Sequence, residues 1–145
     1  MEQQFYEYLK FEQQLLEEFV RLAGRQQNAL TNYNITELEE ITSYQDELLK
    51  NVKLAEEKRI SLLAVWLGIS KKEASNIQLS AILKQIVSED LRDSLYTMQK
   101  KLTELIDKLH TLNATNRLLT NRARFSIKEM ISAVTAGNPV CNTTV

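Results

Sequence analysis

Apolar residues recur along this chain in steps of three and four, and the longest uninterrupted series begins at Leu91. It runs through Leu95, Met98, Leu102, Leu105, Leu109, Leu112, Asn116, Leu119, Ala123, Ser126 and Met130 to Ala133. Alternating steps of four and three mark a single long helix with a narrow seam. At 1.5 Å per residue that helix spans about 65–70 Å. A second series, Leu38, Ile41, Gln45, Leu48, Val52, Ala55, Arg59, Leu62 and Trp66, predicts a helix that closes at Gly68, the residue suited to a left-handed C-cap. Between Glu2 and Leu30 the stripe is broader, with Phe5, Tyr8, Leu9, Phe11, Leu15, Leu16, Phe19 and Leu22 among its members. A wide stripe predicts a helix with more than one neighbour.

The joints follow from polar residues. Thr31 to Asn34 separates the first two helices, and Asn34 followed by Glu37 predicts an N-cap for the second, with Thr36 as its rival. Ile69 to Asn76 is expected to be a connection, and Ile77 to Val87 a short helix with Leu79, Ile82, Leu83 and Ile86 inward. Ser88 is expected to cap the long third helix, with Glu89 and Asp90 in its first turn. The fold class is therefore all-α: an antiparallel helical hairpin packed with a long C-terminal helix, three long helices and one short connecting helix. Residues 1–135 form one domain in this reading, and Gly137-Asn138-Pro139 opens a flexible tail over 136–145.

The two hairpin helices would each span roughly 45–50 Å, so the third should pass their joint by a further ~20 Å. The overhang then begins near Arg122 and carries Phe125, Ile127, Met130, Ile131 and Val134. Apolar side chains beyond the reach of their own bundle call for an outside partner, which points to binding.

Composition agrees. Three glycines and one proline in 145 residues leave little room for strands and turns. The near-zero net charge hides a gradient: residues 1–60 hold seven basic and twelve acidic side chains, residues 108–145 five basic and one acidic. Arg117, Arg122, Arg124 and Lys128 make too small a basic stretch for a dedicated nucleic-acid binder. The longest apolar run, Leu62 to Leu67, is far short of a membrane span. Met1 to Phe5 does not read as a secretory signal, and the single Cys141 fits a reducing compartment. A cytoplasmic location is expected.

Chemistry for catalysis is lacking. The one histidine, His110, sits a place outside the seam, and with Cys141 it cannot furnish a four-ligand metal site or a nucleophile with its base. No Gly-rich phosphate loop is present, so neither an enzyme nor a cofactor is expected. Asn116, a polar residue in an apolar seam, either fixes helix register internally or, with Asn113, bonds a docked peptide.

These residues resemble a known family. Leu112-Asn113-Ala114-Thr115-Asn116-Arg117-Leu118-Leu119 is similar to the L-N-x-x-N-x-x-L-L stretch of the FlgN family of flagellar export chaperones. Asn34 to Thr42 resembles that family's opening of the second helix, and Leu62 to Ile69 its leucine-rich close before a Gly. The resemblance implies a cytosolic chaperone that binds the C-terminal segments of hook–filament junction (hook-associated) proteins. It also implies delivery to the flagellar type III export gate and its ATPase components. Asn113, Asn116, Leu118 and Leu119 match the motif, and Arg122, Phe125 and Met130 join them as candidate partner-binding residues from the overhang. The competing reading is a structural coiled-coil protein whose long helix pairs with a copy of itself, a homodimer.

Overall fold

In the computed structural model, residues 1–134 are described. Five helices follow in order: α1 (Glu2–Thr31), α2 (Ile35–Leu67), α3 (Lys71–Asn76), α4 (Leu79–Leu83) and α5 (Glu89–Val134). Among the described residues there is no strand. The all-α architecture and its three long helices are as the periodicity predicts. The tail expected over 136–145, and Cys141 within it, lie outside the described residues.

The helix ends have local causes. Asn34 caps α2, its side chain accepting the Glu37 N–H at 3.1 Å, so Thr36 lies inside the helix. Glu37 does not complete the box; its carboxylate takes the Arg25 guanidinium, Nε at 3.0 Å, and ties the start of α2 to α1. Tyr33 (φ 53°) makes the tight turn of the joint. Gly68 ends α2 with φ 65° and ψ 36°, a left-handed conformation that a side chain would strain. Ser88 accepts the Leu91 N–H at the head of α5.

The connection between α2 and α5 corrects the sequence reading, because it holds two short helices where one was expected. Ser70 accepts the Glu73 N–H at 3.1 Å and nucleates α3 within Ile69 to Asn76. The Ser-x-x-Glu signal was there to be read. The expected helix over 77–87 contracts to α4, since Ile77 and Gln78 are extended. Ile82 and Ile86 are nonetheless fully buried, as their spacing implied.

Packing divides the molecule lengthwise. At the Gly68 end, Phe5, Leu63, Ala74, Ile82, Ile86 and Leu95 form one core drawn from all five helices. The Phe5 ring meets Trp66 at 5.8 Å between centroids, tilted by 49°. Toward the Thr31–Asn34 joint, Leu15, Leu22, Ala29, Ile41, Leu48 and Ala55 form a second core that belongs to the α1–α2 hairpin alone. The central helix is α1, which packs along both α2 and α5. Its wide stripe is thereby explained.

Candidate functional site

Since α1 packs against both long neighbours while α2 and α5 stand apart, a groove opens between these two with α1 as its floor. Its volume is about 750 Å³. Leu9, Leu16 and Phe19 of α1 form the floor, Leu49 and Val52 of α2 one wall, and Leu102, Ile106 and Leu109 of α5 the other. Leu49 is 45% and Ile106 44% exposed on facing walls, so these apolar groups are open to solvent. Each end of the groove is polar. Near Leu9, Glu12 and Arg59 pair at 2.7 Å. Near the joint, Gln45 Nε2 donates to Gln26 Oε1 at 3.2 Å, with Asn113 alongside.

The polar members of the α2 seam are thus accounted for. Gln45 and Arg59 occupy seam positions because each reaches a partner on α1. Burial raises the Glu12 carboxyl above its ordinary range, opposed by the Arg59 guanidinium and reinforced by the neighbouring Glu56 carboxylate. The Glu12–Arg59 pair thus stands at one end of the groove, and Asp46 lines it further along.

The candidate residues read from the sequence separate into three groups. Asn116 is buried between α5 and α1, where its Nδ2 donates to the Ala23 carbonyl at 3.0 Å and to Gln26 Oε1 at 3.3 Å. Its Oδ1 is buried with no hydrogen-bond partner. The side chain is thus committed to α1, an internal placement of a seam asparagine. Asn113 is exposed and lines the groove. Leu119 is half-buried on the α1 side, whereas Leu118, at 61%, is turned away from it.

Beyond Ala123, every α5 residue to Val134 is exposed. Phe125 (62%), Met130 (66%) and Val134 (80%) are the extreme cases, and Arg122 is exposed just before them. The helix does outrun the hairpin where the length estimate placed the overhang. At 100° per residue, Ile127, Met130 and Val134 continue the face that packs on α1 upstream, while Leu118 and Phe125 share the opposite face. The groove was not foreseen. Its only sequence signals were the broad α1 stripe and the polar residues in the α2 seam.

Among the described residues no cluster of His, Cys, Asp or Glu could hold a metal ion, and no helix is long and apolar enough to cross a membrane. His110 lies exposed on α5. The described residues thus form an all-helical frame with an open apolar groove and a projecting amphipathic helix end.

The comparison with known families makes this specific. The family model described as FlgN protein matches residues 1–144, and the chain belongs to the FlgN family of flagellar export chaperones. That family binds flagellar export substrates and is not an enzyme family. No curated protein and no solved structure matches the chain.

Proposed function

We propose that this chaperone holds the C-terminal helical segments of hook–filament junction proteins in the cytoplasm. In this role it prevents their premature assembly and delivers them to the flagellar type III export gate. The observation that carries the reading is the exposed end of α5, where Phe125, Ile127, Met130 and Val134 project beyond the hairpin. A segment that must later build a tube of packed helices carries an apolar stripe of its own, and two such stripes cover one another.

The energetics suit a holder that lets go. Burying each large apolar side chain contributes roughly 1.5–3 kcal/mol. Ordering and association consume much of that gain. A net near −8 kcal/mol, about micromolar, leaves the cargo releasable. Arg122, Phe125 and Met130 contact the cargo in this proposal, with Asn113, Leu118 and Leu119 at its near edge. Asn116 contributes by fixing the register of α5 on α1.

Hydrogen exchange provides the test. Amides over residues 122–134 should gain protection when a junction-protein C-terminal peptide is added to the full chain. Unchanged exchange at saturating peptide would remove the reading.

A further inference from the structure

One stripe of α1 is open along its first half and covered along its second. Leu9, Leu16, Phe19, Ala23, Gln26 and Leu30 follow one another in steps of three, four and seven, so they share a single helix face. From Leu9 to Phe19 this face is the floor of the groove. Ala23 and Leu30 are buried, at 1% and 8% exposure, yet neither belongs to the core of the hairpin. Their cover is α5. Phe5 and Leu95 lie in one core and Asn116 bonds the Ala23 carbonyl further along, so α1 and α5 run parallel. Leu30 and Ala123 each stand seven residues beyond that bond, and Ala123 is the last half-buried residue of α5.

We infer that residues 111–123 of α5 are a strap, which closes the joint end of the groove by lying across Ala23 and Leu30 and lifts from α1 as a unit while the rest of the fold stays intact.

The strap is weak as a helix. Six of the eleven residues 111–121 are Thr or Asn, whereas residues 100–110 hold one, Thr103, and residues 122–134 none. Both types are poor helix formers. Thr111, Thr115 and Thr120 also turn their hydroxyls back on the carbonyls of Asp107, Thr111 and Asn116, at 3.0, 3.1 and 2.8 Å. Such bonds weaken and bend a helix. Packing does not make up the difference. Upstream, Leu95, Met98 and Leu105 are buried apolar anchors, but in the strap the one fully buried side chain is the Asn116 amide. A helix of poor propensity holds only where tertiary packing overrides it, and here that packing is half-buried at best.

Lifting changes the groove. Gln26 already lines its joint end. Once the strap is off, Ala23 and Leu30 continue the same stripe, and the floor from Leu9 about doubles in length along α1. This opening does not rest on the cargo reading, and its test uses no cargo.

Hydrogen exchange on the full chain in low urea is the first measurement. Amides over residues 112–121 should exchange about a hundredfold faster than those over 95–105, with the weak urea dependence of a local opening. Equal protection and equal urea dependence in the two stretches overturn the inference. Thiol labelling then reads what the opening uncovers. With Cys141 replaced by Ser, Leu30→Cys and Leu48→Cys place a thiol at two positions that are each 8% exposed, one under the strap and one in the hairpin core. Leu30→Cys should label at least about tenfold faster than Leu48→Cys. Thr111→Ala, Asn113→Ala and Asn121→Ala together strengthen the helix at exposed positions. At about two- to threefold per site, they should slow the labelling of Leu30→Cys about tenfold. A Leu30→Cys chain that labels as slowly as Leu48→Cys overturns the strap, since nothing short of global unfolding then lifts it. Fast labelling that the three alanines leave unchanged overturns it too, because the end of α1 would then be fraying without α5.

Discussion

The two ends of this molecule are built on opposite principles. At the Gly68 end, α3 and α4 close over Phe5, Leu63, Ile82, Ile86 and Leu95, each at most 2% exposed, in a core shared by all five helices. At the joint end only the α1–α2 hairpin has a core of its own, and α5 is moored by half-buried leucines and the single buried amide of Asn116. The first end fixes the fold. The second keeps a groove and a helix tip available, and availability requires that nearby side chains contribute little to stability.

The largest effect should come from the closed end. Phe5→Ala removes a fully buried ring that meets Trp66 and anchors the mixed core. A loss of about 3–5 kcal/mol is expected in urea unfolding followed by circular dichroism. Leu15→Ala, in the hairpin core and 8% exposed, should cost less, toward the lower part of the about 2–5 kcal/mol range. Equal losses at the two positions would remove the distinction between the ends.

Asn116→Leu should act in the opposite direction. The asparagine gives two bonds from Nδ2 but strands a buried Oδ1, and an unsatisfied buried acceptor costs about 1–3 kcal/mol. A leucine at this position extends the α5 seam, and a gain of about 1 kcal/mol is expected. The same change should loosen register, because no other polar α5 side chain of the seam bonds to α1 among the described residues. The accompanying readout is faster amide exchange around Leu112–Leu119 despite higher stability. Destabilisation would mean that the amide bonds outweigh the stranded oxygen.

Much of this arrangement could be read from the residues. The seam from Leu91 to Ala123 does face α1 in burial and half-burial, and the α2 cap, the Gly68 stop and the overhang stand where local rules put them. Helix ends and helix faces are local properties, fixed within about two turns. What stayed illegible is the angle between neighbours. The broad α1 stripe announced two partners but not that they stand apart, and the groove exists only because they do. Gln45 and Arg59 hinted at it, yet their partners lie 19 and 47 residues away. Ser70 and Glu73 were legible and were overridden by the weak apolar pattern around them.

A smaller effect should appear with pH. Burial raises the Glu12 carboxyl, so the folded chain holds that proton more tightly than the unfolded chain does. For a raised acid the sign is the reverse of an ordinary salt bridge. The charged form penalises the fold above the folded value, and the penalty is relieved as pH falls through it toward the unfolded value. Relative to Glu12→Gln, the natural chain should therefore gain stability on going from pH 7 to pH 4.5, the ordinary value for a glutamate carboxyl. Urea titrations of both chains at the two pH values give the comparison. A relative loss on acidification would show that the Arg59 pair outweighs the burial of Glu12.

The smallest effect on stability is expected at the tip of α5, and its smallness is what makes it informative. Met130 and Val134 are exposed to 66% and 80%, so Met130→Ser and Val134→Ser remove almost no buried surface. Neither should shift unfolding by more than about 0.5 kcal/mol. A side chain that costs nothing to lose in the free protein, yet stands on the stripe that continues the α1 contact, is where the proposed cargo contact predicts a loss of its own. Calorimetric titration with a junction-protein C-terminal peptide should then register the loss that unfolding does not. A Val134→Ser chain that is clearly destabilised would place the tip within the fold's own core, and the contrast between the two ends would dissolve.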